Sequence, residues 1–121
     1  IDYTLTWGFD PEVGGFYNTG PFDAPAEERH KVWWVQAEGL VATLAMYRLT
    51  GELKYWQAFV KTYDWIARHQ VDWAHGDWHA SIADGVASGD KAGPWKSPYH
   101  NGRAMLECVR LLDELRAESS Q

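Results

Sequence analysis

Cysteine is nearly absent from this chain. Cys108 stands alone among 121 residues, so no internal disulfide can form, and the sequence reads as that of a protein from a reducing compartment, most simply the cytoplasm. Long apolar runs are missing too. No stretch approaches the ~20 residues a membrane-spanning helix needs, and neither a secretory leader nor an Asn-x-Ser/Thr acceptor is visible. Blocks of like charge are also lacking: eleven basic and seventeen acidic side chains leave a net charge of −6 without runs of either sign. That excludes a surface built to grip a phosphate backbone. An initiating methionine is missing at Ile1 and a turn-rich segment follows almost at once, so the start reads as a cut edge. Residues 1–121 are expected to form a single partial domain.

Aromatic rings are what the chain has in surplus, with eight tryptophans, six tyrosines and four phenylalanines. Indole joins a flat apolar face to one polar N–H, which suits both a core and stacking on the C–H face of a sugar. Most of these rings belong in a core. Residues 7–23 read as a turn-rich connection, where Gly8-Phe9-Asp10-Pro11 and Gly14-Gly15-Phe16-Tyr17 make short extended pieces around a Gly-Gly turn. A helix is expected from about Lys31 to Leu49, ended by Thr50-Gly51. Trp33, Ala37, Leu40, Leu44 and Tyr47 mark one side of it and Trp34, Val41 and Ala45 another, so it is buried on most sides. A second, amphipathic helix from about Leu53 to His69 follows through a short link and lies antiparallel to the first. Asp72 to His79 reads as another short hairpin, with a loop from there to Pro94. The last helix runs from about Pro98 to Ala117. The expected class is all-α: about three long helices with hairpin-bearing loops, the kind of unit that builds an α/α toroid but is too small to close one.

Chemistry concentrates in Trp95-Lys96-Ser97-Pro98-Tyr99-His100-Asn101-Gly102-Arg103. Ser97 suits an N-cap and Pro98 the first helical position, which puts His100 in the first turn. Free N–H groups and the positive end of the helix dipole there disfavour an imidazolium, and a neutral histidine can serve as a base. Arg103 lies one turn on, along the same face, as a fixed cation for a sugar oxygen or a developing oxyanion. The plainer alternative is an ordinary helix start in which His100 caps and Arg103 pairs with Glu107. On the first long helix Trp34 and Glu38 are four apart and share a face. Their plainer alternative is a core indole and a carboxylate bonded to a neighbouring helix end. His75 and His79 flank Asp77, but Gly76 breaks the helical spacing and no third ligand follows at a familiar distance. Neither a metal nor an organic cofactor is expected. Cys108 reads as a buried apolar residue.

Gly14-Gly15-Phe16-Tyr17, Trp33-Trp34-Val35-Gln36-Ala37-Glu38, Thr50-Gly51, Gly76-Asp77-Trp78 and Trp95 through Glu107 occur in an order that resembles the C-terminal part of the N-acylglucosamine 2-epimerase superfamily. Within it, Tyr99-His100-Asn101 followed by Arg103 is most similar to the cellobiose 2-epimerase branch. The resemblance implies part of an (α/α)6 barrel and inversion at C2 of a reducing-end aldose, in a mono- or disaccharide, through a cis-enediolate. On that resemblance His100 matches one of two catalytic histidines. Trp34, Glu38, Trp95 and Arg103 match substrate-binding positions: a wall tryptophan, a carboxylate for hydroxyls, a stacking tryptophan and the arginine beside the histidine. The other histidine and the arginine that steadies the enediolate belong to segments that nothing here matches.

Three further readings remain open at this level. An aldose–ketose isomerase shares the enediolate. A glycoside hydrolase would draw on Glu38, Asp77, Asp84 and Glu107, but needs two carboxyl groups ~5 to ~9.5 Å apart across a bond, and no pair is marked out. A non-catalytic fragment would bind sugar through Trp34 and Trp95, or self-associate through exposed barrel-interior surface.

Overall fold

Apolar segments alternating with glycine-bearing turns produce three long helices in the computed structural model, which describes Ile1–Gln121. A short helix α1 (Asp2–Trp7) opens the chain, strand β1 (Lys31–Val32) leads directly into α2 (Trp33–Thr50), and α3 (Leu53–Trp65) continues as a π-turn over Ile66–Gln70. Strands β2 (Ser81–Ala83) and β3 (Val86–Ser88) precede α4 (Tyr99–Ser119). Gly51 ends α2 in the left-handed conformation, φ 73°, and its N–H closes on the Tyr47 carbonyl at 2.7 Å, as the Thr-Gly signal predicts.

α2 lies between α3 and α4. Its Ala37, Leu40 and Leu44 are fully buried, facing Phe59, Trp65 and Ile66 on one flank and Ala104, Cys108 and Leu111 on the other. Small side chains at 37, 104 and 108 let α2 and α4 approach closely. Burial pushes the Cys108 thiol up to about 11, consistent with an apolar filler and not a nucleophile.

The all-α expectation is corrected by a three-stranded antiparallel sheet in the order β1-β2-β3. Lys31 pairs with Ile82 and Val32 with Ser81, so α2 begins at Trp33 and not at Lys31. β2 and β3 are joined by Asp84-Gly85, both at positive φ (48° and 76°), a two-residue hairpin turn inside the segment expected to be a loop. α1 too was not foreseen. The hairpin expected within 7–23 forms as a bridge between Phe9 and Phe16, with Gly14 and Gly15 at φ 90° and 84°. The expected turn at 72–79 closes through a Val71–Trp78 bridge, and Gln70, fully buried at the end of the π-turn, accepts the His79 N–H on its carbonyl at 2.7 Å.

Two contacts fix the first loop on the helices. The Gln36 side-chain amide accepts from the Phe16 N–H at 2.8 Å and donates to the Phe16 carbonyl at 2.7 Å. Lys31, only 4 % exposed, puts its ammonium 2.9 Å from Asp10 and 2.6 Å from the Gly14 carbonyl, between the faces of Tyr17 and Trp65. Burial raises the Asp10 carboxyl, but Lys31, the Tyr17 hydroxyl and the Val13 N–H outweigh it and bring it to about 2. The pair is buried, so breaking one partner strands the other.

Two outcomes follow from this packing. Asp10→Asn should cost ~3 kcal/mol at neutral pH because it leaves the Lys31 ammonium uncompensated. Asp10 is depressed below its ordinary carboxyl value, so its contribution is complete above that value and disappears as pH falls through about 2. The gap between wild type and variant in urea unfolding should therefore narrow below pH ~4. Gly39→Ala would place a methyl 2.4 Å from the Phe16 ring; unfolding midpoints should show a loss of ~1 to ~3 kcal/mol in place of the ~1 kcal/mol gain alanine brings to an open helix position.

Candidate active site

The first turns of α2 and α4 lie side by side. At the start of α4 the Ser97 hydroxyl accepts the Tyr99 N–H at 3.4 Å and the Pro98 carbonyl accepts the Gly102 N–H at 2.8 Å, so Ser-Pro opens the helix one residue later than the sequence indicates. This carries His100 over the side of α2 that bears Trp34 and Glu38. His100 Nδ1 sits 2.8 Å from Glu38 Oε1, and Arg103 donates through Nη2 to the same oxygen. The Trp34 ring is 6.0 Å from the imidazole and tilted by 44°. Tyr99 meets the imidazole edge-on at 5.0 Å, and the Arg103 guanidinium lies 5.5 Å from the Tyr99 ring.

Four of the five residues singled out from sequence thus form one cluster. Trp95 does not share these contacts; it stands on the loop before α4, 91 % exposed. The alternative pairing of Arg103 with Glu107 is not what forms, because Glu107 accepts from Arg110 Nε at 3.1 Å while Arg103 reaches across to α2. Burial raises the Glu38 carboxyl, but the bonds from Arg103 and His100 hold it below the usual carboxylate range. The cluster is only partly buried: the His100 and Glu38 side chains are 33 % and 39 % exposed, and Trp34 and Tyr99 present open faces. A planar, hydroxyl-bearing ligand can therefore reach the imidazole between two rings.

Tyr99 was missed in the sequence, although its place next to His100 in an aromatic-rich run was signal enough. A second group missed there lies behind the cluster. Asp77, at φ 60°, accepts the Trp78 N–H at 2.5 Å, the Asn101 amide at 3.0 Å and the Lys96 ammonium at 3.2 Å. Burial raises its carboxyl, yet these donors leave it below the ordinary value. Carboxylates that hydrolysis would need are committed elsewhere: Asp77 as described, Asp84 in the β2–β3 turn, Glu107 on Arg110. His75 Nδ1 lies 3.3 Å from Asp72, which also holds Lys91 at 2.7 Å, and no three His, Cys, Asp or Glu side chains gather around a common metal position. No helix is long and apolar enough to cross a membrane.

Comparison with known proteins agrees with this geometry. The family model described as N-acylglucosamine 2-epimerase (GlcNAc 2-epimerase) matches residues 1–104. Cellobiose 2-epimerase of Bacteroides fragilis is 44% identical over 85 residues, 68% of this chain and 21% of the relative. N-acylglucosamine 2-epimerase of Bos taurus is 30% identical over 114 residues, covering 89% and 27%. The solved structure of cellobiose 2-epimerase from Spirochaeta thermophila superimposes with a TM-score of 0.76 at 36% identity, over 84% of this chain and 26% of that one. A D-mannose isomerase crystal structure, at 24% identity and a TM-score of 0.81, shares the fold over 90% of this chain and 28% of its own. The chain spans roughly a fifth to a quarter of the length of the relatives it matches. With a family model running through the first turn of α4 and similarity extending along most of the chain, the chain belongs to the N-acylglucosamine 2-epimerase family.

Proposed function

We propose that residues 1–121 are a single partial domain, the closing portion of an (α/α)6 barrel, and that they supply one face of a site inverting C2 of a reducing-end aldose. The observation that carries this reading is the imidazole of His100 held through Nδ1 by Glu38 at 2.8 Å. With Nδ1–H given to a carboxylate, Nε2 bears the lone pair and points away from that bond, the arrangement a general base needs. The chemistry then follows. Nε2 takes the C2 proton, the C–H electron pair becomes the C1=C2 bond, and the carbonyl pair moves onto O1 to give a cis-enediolate. Return of a proton to the opposite face of C2 gives the epimer. Arg103 is placed to hold an oxygen of that intermediate, an interaction of ~3 kcal/mol for a well-aligned donor. Trp34 and Trp95 offer faces for the sugar, and Glu38, beyond orienting His100, keeps Oε2 available for a hydroxyl.

One base cannot serve both faces of a planar enediolate, so the second acid–base group lies outside these residues. The open apolar groove of about 380 Å³ bordered by Trp56, Phe59, Tyr63, Met105, Val109 and Leu112 is the kind of surface that further barrel helices, or a second copy of the chain, would cover. Relatives named for cellobiose and N-acylglucosamine 2-epimerisation support a carbohydrate substrate. Return of the proton to C1 instead of C2 would make the same site an aldose–ketose isomerase, and the product distinguishes the two. A lone, buried cysteine suits a reducing, cytoplasmic setting.

Proton NMR of cellobiose, mannose and N-acetylmannosamine incubated with the protein in deuterated water tests the reading. Loss of the C2 proton signal with new epimer peaks is expected, and His100→Ala should abolish the exchange while circular dichroism stays helical. Exchange retained in that variant would overturn the role of His100, and its absence in folded wild type would leave a sugar-binding or self-associating domain. Long-range proton–nitrogen correlation on the neutral ring should show Nδ1 protonated and Nε2 bare, a preference that Glu38→Leu should remove.

A further inference from the structure

Behind the cluster, the carboxylate of Asp77 joins two segments that touch the proposed sugar site from different directions. Its Oδ1 accepts the Asn101 amide at 3.0 Å, and Asn101, buried in the first turn of α4, is the residue after His100. Its Oδ2 accepts the Lys96 ammonium at 3.2 Å, and Lys96, with its side chain 4 % exposed, is the residue after Trp95. Lys96 also donates to the Lys91 carbonyl at 2.7 Å and lies 5.7 Å over the Trp33 ring, while its own carbonyl accepts the Gly93 N–H at 3.0 Å. The segment carrying Trp95 is thus folded around a buried lysine, and that lysine is anchored on Asp77.

Resting on the 2-epimerase reading above, we infer that Asp77 is a positioning residue that sets the stacking loop of Trp95 against the base His100, through Lys96 and Asn101 respectively. Trp95 is 91 % exposed and is not held by packing of its own ring, so its placement depends on the residue beside it. His100 has its ring fixed by Glu38, but its backbone is fixed by the first turn of α4, which Asn101 pins to the 72–79 loop. The two ties use different oxygens of one carboxylate and are chemically separable. An asparagine at 77 keeps an acceptor for the Asn101 amide and turns an N–H₂ donor toward the Lys96 ammonium, so it breaks the lysine tie alone. Both ties act at a distance from the reacting carbon, so each changes one step and not the fold of the site. Displacing a stacking ring weakens substrate binding, whereas displacing a base lowers the rate of the chemical step.

Kinetics of cellobiose C2 exchange in the intact protein separate these effects. Asp77→Asn and Lys96→Met should each raise KM about tenfold with kcat within about twofold, and the double variant should add nothing to either. Asn101→Leu should lower kcat about tenfold with KM nearly constant, and Asp77→Ala should show both changes. Ordinary loss of stability would reduce the amount of active protein and move kcat alone in all four, with midpoints of unfolding falling in step. Parallel changes of that kind, or no change in KM for Asp77→Asn and Lys96→Met, would overturn the inference while wild-type exchange stands. Absence of exchange in the wild type would instead overturn the 2-epimerase reading and this inference with it.

Discussion

The rotation of α2 about its axis decides what every other element can do, and the Gln36 amide sets that rotation. By pairing both of its polar ends with the backbone of Phe16, a fully buried side chain behaves as one more rung between loop and helix, and any other phase would leave it unsatisfied at a cost of ~1 to ~3 kcal/mol per polar group. Residue 38 then lies on the far side from residue 36, where α4 passes. Glu38 and Trp34, a full turn apart, face α4 together. The same phase directs Ala37, Leu40 and Leu44 into the gaps between the flanking helices, so the core and the site are two consequences of one angular choice.

Charge in this chain is used to hold loops to helices more than to join helices. Lys31 with Asp10, Lys96 with Asp77 and Lys91 with Asp72 each join a loop carboxylate to a lysine from a separate segment. The Lys31 and Lys96 side chains are nearly inaccessible. Exposed pairs such as Arg48 with Glu114 and Glu118, between α2 and α4, contribute little by comparison. Buried ion pairs are costly to assemble but specific in register, and specificity is what irregular connections with little apolar surface need.

The long helices were legible because their apolar residues recur at 3.6 and their ends carry punctuation such as Thr50-Gly51. The cluster of His100, Arg103, Trp34 and Glu38 was legible as a set, since i,i+3 and i,i+4 spacing places each pair on one face. What spacing does not reveal is which face meets which: Arg103 had a local partner at Glu107 in sequence and a better one across the helix interface in space. The small sheet escaped because two- and three-residue strands have no measurable period. Even so, Asp84-Gly85 between short β-compatible triplets is a hairpin signature that outweighs the polarity of its surroundings. Lys31 was read as part of a helix because nothing in sequence shows that a lysine will be buried between two aromatic faces. The Asp77 hub escaped for a similar reason, its partners lying 19 and 24 positions away.

The π-turn at Ile66–Gln70 has a bearing on how such a protein can vary over time. A π-turn accommodates one residue more than an α-helix would in the same span. Deleting a single residue there would restore the α repeat but rotate everything beyond it by about 100°. Val71 and Gln70 would lose their places in the bridge to Trp78 and the bond to His79, and the 72–79 loop would swing off α4. Length changes at the outer end of α3 would therefore reshape a ligand pocket none of whose lining residues had been altered, a route to new specificity by insertion or deletion where substitution within the pocket would damage the chemistry.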